Sequence, residues 1–225
     1  MRAGGQRPLP FNQSYETRRI MDIKLNFINL SNDVNNSQVV IFQKNVSTDF
    51  DELSIAWKVI TNCGRGDNHP FVFPLKTTVS ASDADGNYMP QKRADNGQLF
   101  SVSRTTSGNV LALSGAASTS REIQLRNDLR QGAITASVFK DSRLLARKTG
   151  IVPGQKAVFE FKPTLWIGTA SQIEQGAVMN SAVISDINTE LSLLGIASAD
   201  IVMTGGGGGT SATPYQFKLA NIVMG

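Results

Sequence analysis

Three adjoining pieces decide how this chain is read: LSIAWKVIT (residues 53–61), NCGRGDNHP (62–70) and FVFPLKTTVS (71–80). The outer two are rich in β-branched and aromatic residues, which fit a pleated, half-buried surface and predict strands. Residues 54–60 are expected to form a central strand. Pro74 places the 71–80 strand at a sheet edge or a bulge, because proline cannot donate to a ladder. The piece between them is made of turn formers and holds the one cysteine and the one histidine of the 225 residues.

Working outward, Ile23, Leu25 and Phe27 alternate with Lys24, Asn26 and Ile28, the period of a strand with one buried face. A turn cluster over 30–37 precedes a second strand at 38–43, so 23–43 reads as a hairpin. Residues 47–52 suit the cap of a short helical turn. Toward the C-terminus, Asp83 to Tyr88 is a hairpin-turn signal, and 98–104 pairs with 109–114 across a tight connection. Further strands are expected at 122–127, 133–140 and 157–162, and two more (199–204 and 215–224) flank the glycine run 205–209, read as a flexible loop. In 181–194, Val183, Ile187, Leu191 and Leu194 stand at helical spacing, while the same residues fit two strands around Asp186. No internal repeat is visible. Short strands with regular turn punctuation predict an all-β fold with little helix: an antiparallel β-sandwich, Ig-like or jelly-roll-like. Residues 21–225 are read as one such domain, with 163–225 supplying extra strands or a second layer.

Hydrophobic content of 40% and charged content of 18% describe an ordered chain. No apolar run approaches the ~18 residues of a spanning helix. A single cysteine excludes an internal disulfide, which fits a cytoplasmic protein best and leaves secretion open. The pI of 9.3 suggests nucleic acid. However, residues 1–20 carry four arginines against one glutamate, so +3 of the formal +4 lies there and +1 remains for the rest. That basic leader has no secretory core and reads as a disordered arm, a presequence or a misplaced start ahead of Met21. A second cationic stretch, 121–148, contains one aromatic, Phe139, where nucleic-acid patches usually interleave several. It reads more easily as a solvated face. A membrane surface is a formal partner, but the aromatic cluster or amphipathic segment it would need is missing.

Candidate chemistry centres on the 62–70 loop. Cys63 and His69 could act as nucleophile and base if folding brought them to ~3 Å, with Asp67 orienting the ring. Against this, six residues of glycine-rich loop impose no fixed geometry, and the alternative is a buried thiol beside a turn imidazole. Arg65 and Asp67 complete the speculative binding loop. Asp83, Asp85 and Asn87 resemble the start of a calcium loop, but its sixth position is Tyr88 instead of Gly and its twelfth is Ala94 instead of Glu. A turn explains them better. One histidine is too few for common catalytic metal sites, so no metal and no cofactor is expected. Ser–Lys chemistry stays open, with no pair singled out.

From Pro163 onward one cation, Lys218, faces four acidic residues. Such a charge-poor third suits a buried contact between subunits, or equally an inner sheet. Three functions are therefore carried forward: a non-enzymatic binding or self-assembling protein that meets itself through 163–225, a membrane-directed toxin-like β protein, and a small-molecule or sugar enzyme centred on His69.

Overall fold

The computed structural model describes residues 22–34, 37–47, 53–180, 183, 184, 187 and 189–225. The leader 1–20, the cap expected at 47–52 and the turn at Asp186 fall wholly or largely outside these. Strands make up 59% of the chain and helix 3%, so the expected all-β, sandwich-like class holds.

Among the described residues, seventeen strands form four sheets. Sheet I has the order β17(Thr213–Met224), β16(Ile196–Gly206), β1(Ile23–Asn29), β5(Asn68–Phe73). Sheet II runs β15(Thr189–Ser192), β14(Thr164–Ala170), β2(Gln38–Phe42), β4(Lys58–Ile60). Sheet III runs β13(Lys156–Phe159), β10(Ile123–Asn127), β8(Gln98–Thr105), β9(Gly108–Ala116). Sheet IV runs β3(Leu53–Ser54), β12(Arg143–Ile151), β11(Ile134–Lys140), β6(Thr77–Ser82), β7(Lys92–Ala94). All pairs are antiparallel except β1 with β16 and β8 with β10. Strands from 163–225 do not form a layer of their own. They are shared between sheets I and II with the first strands of the chain.

The two sheet pairs have one topology. Starting at β6, sheets IV and III run β12-β11-β6-β7 and β13-β10-β8-β9. Starting at β14 and continuing from the last strand to the first, sheets II and I run β4-β2-β14-β15 and β5-β1-β16-β17. Each pairing keeps its sense, including the parallel pair, β8 with β10 and β16 with β1. The fold is thus an eight-strand arrangement made twice, with one version contiguous and the other circularly permuted across the chain ends. Strand β3 is the single addition.

Local sequence explains the strand faces. In β1, Ile23, Leu25 and Phe27 are buried while Lys24 is exposed, as period two requires. Phe27 lies opposite His69 and Leu25 opposite Phe71 in β5. Inward residues from all four sheets join one buried cluster that includes Phe27, Ile41, Val79, Phe100, Leu125, Val138, Ile167 and Ile201. Sheet II is covered on both faces: Val39 and Ile41 enter that cluster, while Val40 and Phe42 pack with Ala56, Met179 and Ile187 in a second one. Gly168 makes this cover possible, because a Cβ there would stand 3.0 Å from Ile187 Cγ2.

Three strand expectations change. β1 and β2 lie in different sheets, so 23–43 is a crossover, not a hairpin. The run 54–60 splits into β3 and β4, both at edges, because Ile55, Ala56 and Trp57 turn fully into the interior between them. The run 71–80 also splits, ending in sheet I at Phe73 and resuming in sheet IV at Thr77, with Pro74 at the break. The ends of β8 and β9, by contrast, fall within a residue or two of expectation.

Candidate functional site

The 62–70 loop is held by its own backbone. Gly64 N–H donates to Asp67 Oδ2 (2.9 Å), and Asp67 N–H to Gly64 O (3.1 Å). Asn29, itself buried, donates through Nδ2 to Cys63 O (2.7 Å), while its carbonyl accepts from Gly66 N–H (2.6 Å). Arg65 Nη1 donates to Asn32 Oδ1 at 2.7 Å. The four candidate residues therefore part company. Arg65 and Asp67 are exposed turn residues, and Cys63 is a core side chain. His69 belongs to β5, half-buried on the face of Phe71 and Phe73. No hydrogen bond joins Cys63 to His69 among the described residues. Burial pushes the thiol of Cys63 up from its ordinary range, and the Asp67 charge adds to this. A nucleophilic cysteine needs the opposite shift.

Asp83 organises its turn in the same way. Its carboxylate accepts from the backbone N–H groups of Asp85 (3.1 Å) and Asn87 (2.9 Å), and from the side-chain amides of Asn87 (3.2 Å) and Asn109 (3.0 Å). The amide donors, led by the Asn87 N–H, hold its pKa below the usual carboxylate range. Oxygens engaged in this way build an Asx turn. Among the described residues, no group of three or more His, Cys, Asp or Glu side chains could hold a metal ion.

The cationic stretch is largely occupied internally. Arg121 pairs with Glu160 (3.1 Å), Arg126 with Asp128 (2.6 Å) and Arg143 with Asp141. Lys140 is buried, its Nζ 4.2 Å from the Phe73 ring centre, and burial lowers its pKa to about 8. Trp57 packs edge-on against Phe73 at 5.6 Å and donates Nε1–H to Lys140 O (3.1 Å). This cluster joins β5 to β11 and takes Lys140 out of the cationic surface.

Sequence reasoning left Ser–Lys chemistry without a pair, and folding supplies one. Lys156 Nζ donates to Ser118 Oγ (2.9 Å) and to Gln124 Oε1 (3.0 Å), and Gln124 Nε2 donates to Ser118 Oγ (2.9 Å). These line a cleft of about 390 Å³ with Glu122, Glu160 and Ser47. Thirty-eight residues separate Ser118 from Lys156, so no local signal could have linked them. Turning such a lysine into a base needs desolvation. Lys156 lies exposed, and the cleft is a polar network satisfied from within.

The remaining surface feature is apolar. Leu194 (72% exposed), Ile222 (48%), Val223 (54%) and Met224 (66%) gather at the end of β17, the outer strand of sheet I. The Leu193–Ile196 turn brings Leu194 to this place, with Gly195 O accepting from Gly225 N–H (2.9 Å) and Ile196 paired with Met224. The charge-poor third thus divides: β14 and β16 are interior strands, and β17 ends as exposed hydrocarbon on an edge.

No family model, no curated protein and no solved structure matches the chain. No helix among the described residues is long and apolar enough to cross a membrane.

Proposed function

We propose that this is a self-assembling, non-enzymatic structural protein whose copies meet through the C-terminal third. The observation that carries the reading is the apolar end of β17, where Ile222, Val223 and Met224, with Leu194 of the adjoining turn, are exposed on a strand paired along one side only. An edge strand offers a row of free N–H and C=O groups, and natural proteins normally guard such rows with charge, proline or brevity. Burying these four side chains along with the backbone row would combine the hydrophobic and ladder terms in one contact. The buried thiol of Cys63, the Asx turn at Asp83 and the internally satisfied Lys156 cleft all read as structural chemistry, which favours assembly over catalysis.

Native mass spectrometry of the full chain across a concentration series tests this. Discrete oligomers that grow with concentration are expected, and they should dissociate when Val223→Lys places a charge at the edge. A clean monomer at the highest concentration overturns the reading.

A further inference from the structure

Eight strands stand at sheet edges among the described residues, and they are not alike. β3 has two residues. β4 and β7 have three each, with Lys58 in one and Lys92 and Arg93 in the other. β13 and β15 have four, carrying Lys156 and Glu190. β5 has six and contains Pro70. All six are blunted by length, charge or proline, the usual protections. The other two are β9 with nine residues and β17 with twelve. β9 (GNVLALSGA) has no charged residue and no proline, and it exposes Val110 (38%) and Leu113 (56%). β17 holds Pro214 and Lys218 in its first half, but from Leu219 to Met224 it has neither charge nor proline.

These two open edges are the equivalent strands of the duplicated topology. β9 borders β8 as β17 borders β16, and each inner strand has its parallel partner on the far side. Each outer strand even carries its extra residues near its end. Phe100 pairs with Leu113 and Leu99 with Gly115, skipping Ser114, while Ser198 pairs with Val223 and Asp200 with Ala220.

Resting on the self-assembly reading, we infer that the partner of β17 is β9 of a second copy, so that copies join head to tail and sheets I and III of successive molecules fuse into one continuous sheet. Closure selects this pairing over β17 against β17. A single twofold contact, β17 with β17 or β9 with β9, leaves the other edge bare in every copy, whereas one head-to-tail contact covers both edges of every internal copy. Such a heterologous contact yields rings or open chains, not dimers.

The test uses two full-length variants, one with Val110→Lys and Leu113→Lys in β9, the other with Ile222→Lys and Val223→Lys in β17. Circular dichroism melts confirm that each is folded, and Ala112→Glu or Met224→Lys replaces any pair that is not. Native mass spectrometry then weighs each variant alone and in equimolar mixture. Head-to-tail pairing predicts that each alone is monomeric, and that the mixture forms one-to-one heterodimers and nothing larger, because one open β17 meets one open β9. Dimers of the β9 variant alone overturn the inference in favour of a twofold β17 contact. Oligomers of both variants alone overturn it too, while sparing self-assembly through another surface. A wild-type chain that stays monomeric throughout fails the underlying reading itself.

Discussion

Gly205 and Lys140 show how far single residues were legible. The glycine run reads in sequence as a place where no side chain is needed, and two of its members show why. Gly205 has φ +86°, and a Cβ there would stand 2.2 Å from Pro214 O. Gly206 has φ +81°, and its Cβ would meet Tyr215 Cε1 at 2.7 Å. These residues end β16 and pack tightly, so the start of the run is fixed structure and not slack. Gly205→Ala is expected to cost about 2 kcal/mol or more in urea unfolding, from backbone strain alone. Lys140 gave no signal in sequence beyond one more cation in a basic stretch. Its burial follows from Trp57 and Phe73, which lie 83 and 67 positions away, so no window could have found it. Because burial holds its pKa at about 8 in the fold against 10.5 for the free side chain, the unfolded chain binds the extra proton between those values. Stability from this group therefore rises as pH goes from 8 to 10.5. Below 8 the folded state carries a buried charge that costs up to about 3 kcal/mol. The difference in unfolding free energy between wild type and Lys140→Met should shrink or reverse across that window. A flat difference would show that Lys140 does not titrate there. Cys63 should resist a thiol reagent at neutral pH until denaturant is added, since it is buried and its pKa is raised. Prompt labelling of the native protein would restore it as a candidate nucleophile.

For the elements, alternation located most strands but could not assign them partners. Period two tells which face of a strand is wet, and it is silent on which sheet receives the strand. That is why 23–43 looks like a hairpin when β1 and β2 separate into sheets I and II. β14 is missed for a related reason: Leu165, Ile167 and Gly168 are buried, and the half-buried Trp166 packs under the second cluster, so both faces are covered and alternation fades. β12 is missed because Arg143, Arg147 and Lys148 dilute its pattern. The cover over sheet II makes its own prediction. Gly168→Ala would push a methyl into Ile187, and overpacking of this kind costs ~1–3 kcal/mol. Thermal unfolding should register it as a drop of several degrees, and an unchanged midpoint would mean that the cover yields.

At the level of the whole molecule, the all-β class could be read from composition and turn spacing, and the duplication could not. The two versions of the eight-strand arrangement share strand order, not residues, and one is cut by the chain ends. A sequence comparison in register has nothing to align. The arrangement does predict where the chain can be rewired. Lys24 pairs with Ser198 on one side of β16, and Met224 stands opposite Ile196 on the other. Residues 22 and 225 are thus about two strand spacings apart, roughly 10 Å. Joining them with a short glycine-serine linker and reopening the chain between β13 and β14 should give a folded permutant with a near-native melting temperature. The same linkage opened between β10 and β11 should melt earlier, because it cuts the contiguous version. Equal stability of the two would remove the special status of the β13–β14 junction.

The permuted duplication also sets an order of events on the ribosome. Chains usually fold from the N-terminus as they emerge. Here β1 has a parallel partner 174 positions ahead of it, with Asn26 against Asp200, and β2 lies beside β14. β1 can pair with β5 and β2 with β4 as they emerge, but the sides that take β16 and β14 stay open until residues 164–206 have been made. Strands β6 to β13 find every ladder partner but β3 within their own segment, so they can finish first. The protein is thus built from the middle outward. The slow closure of the longest contacts, β1 with β16 and β2 with β14, then governs how quickly a finished molecule appears.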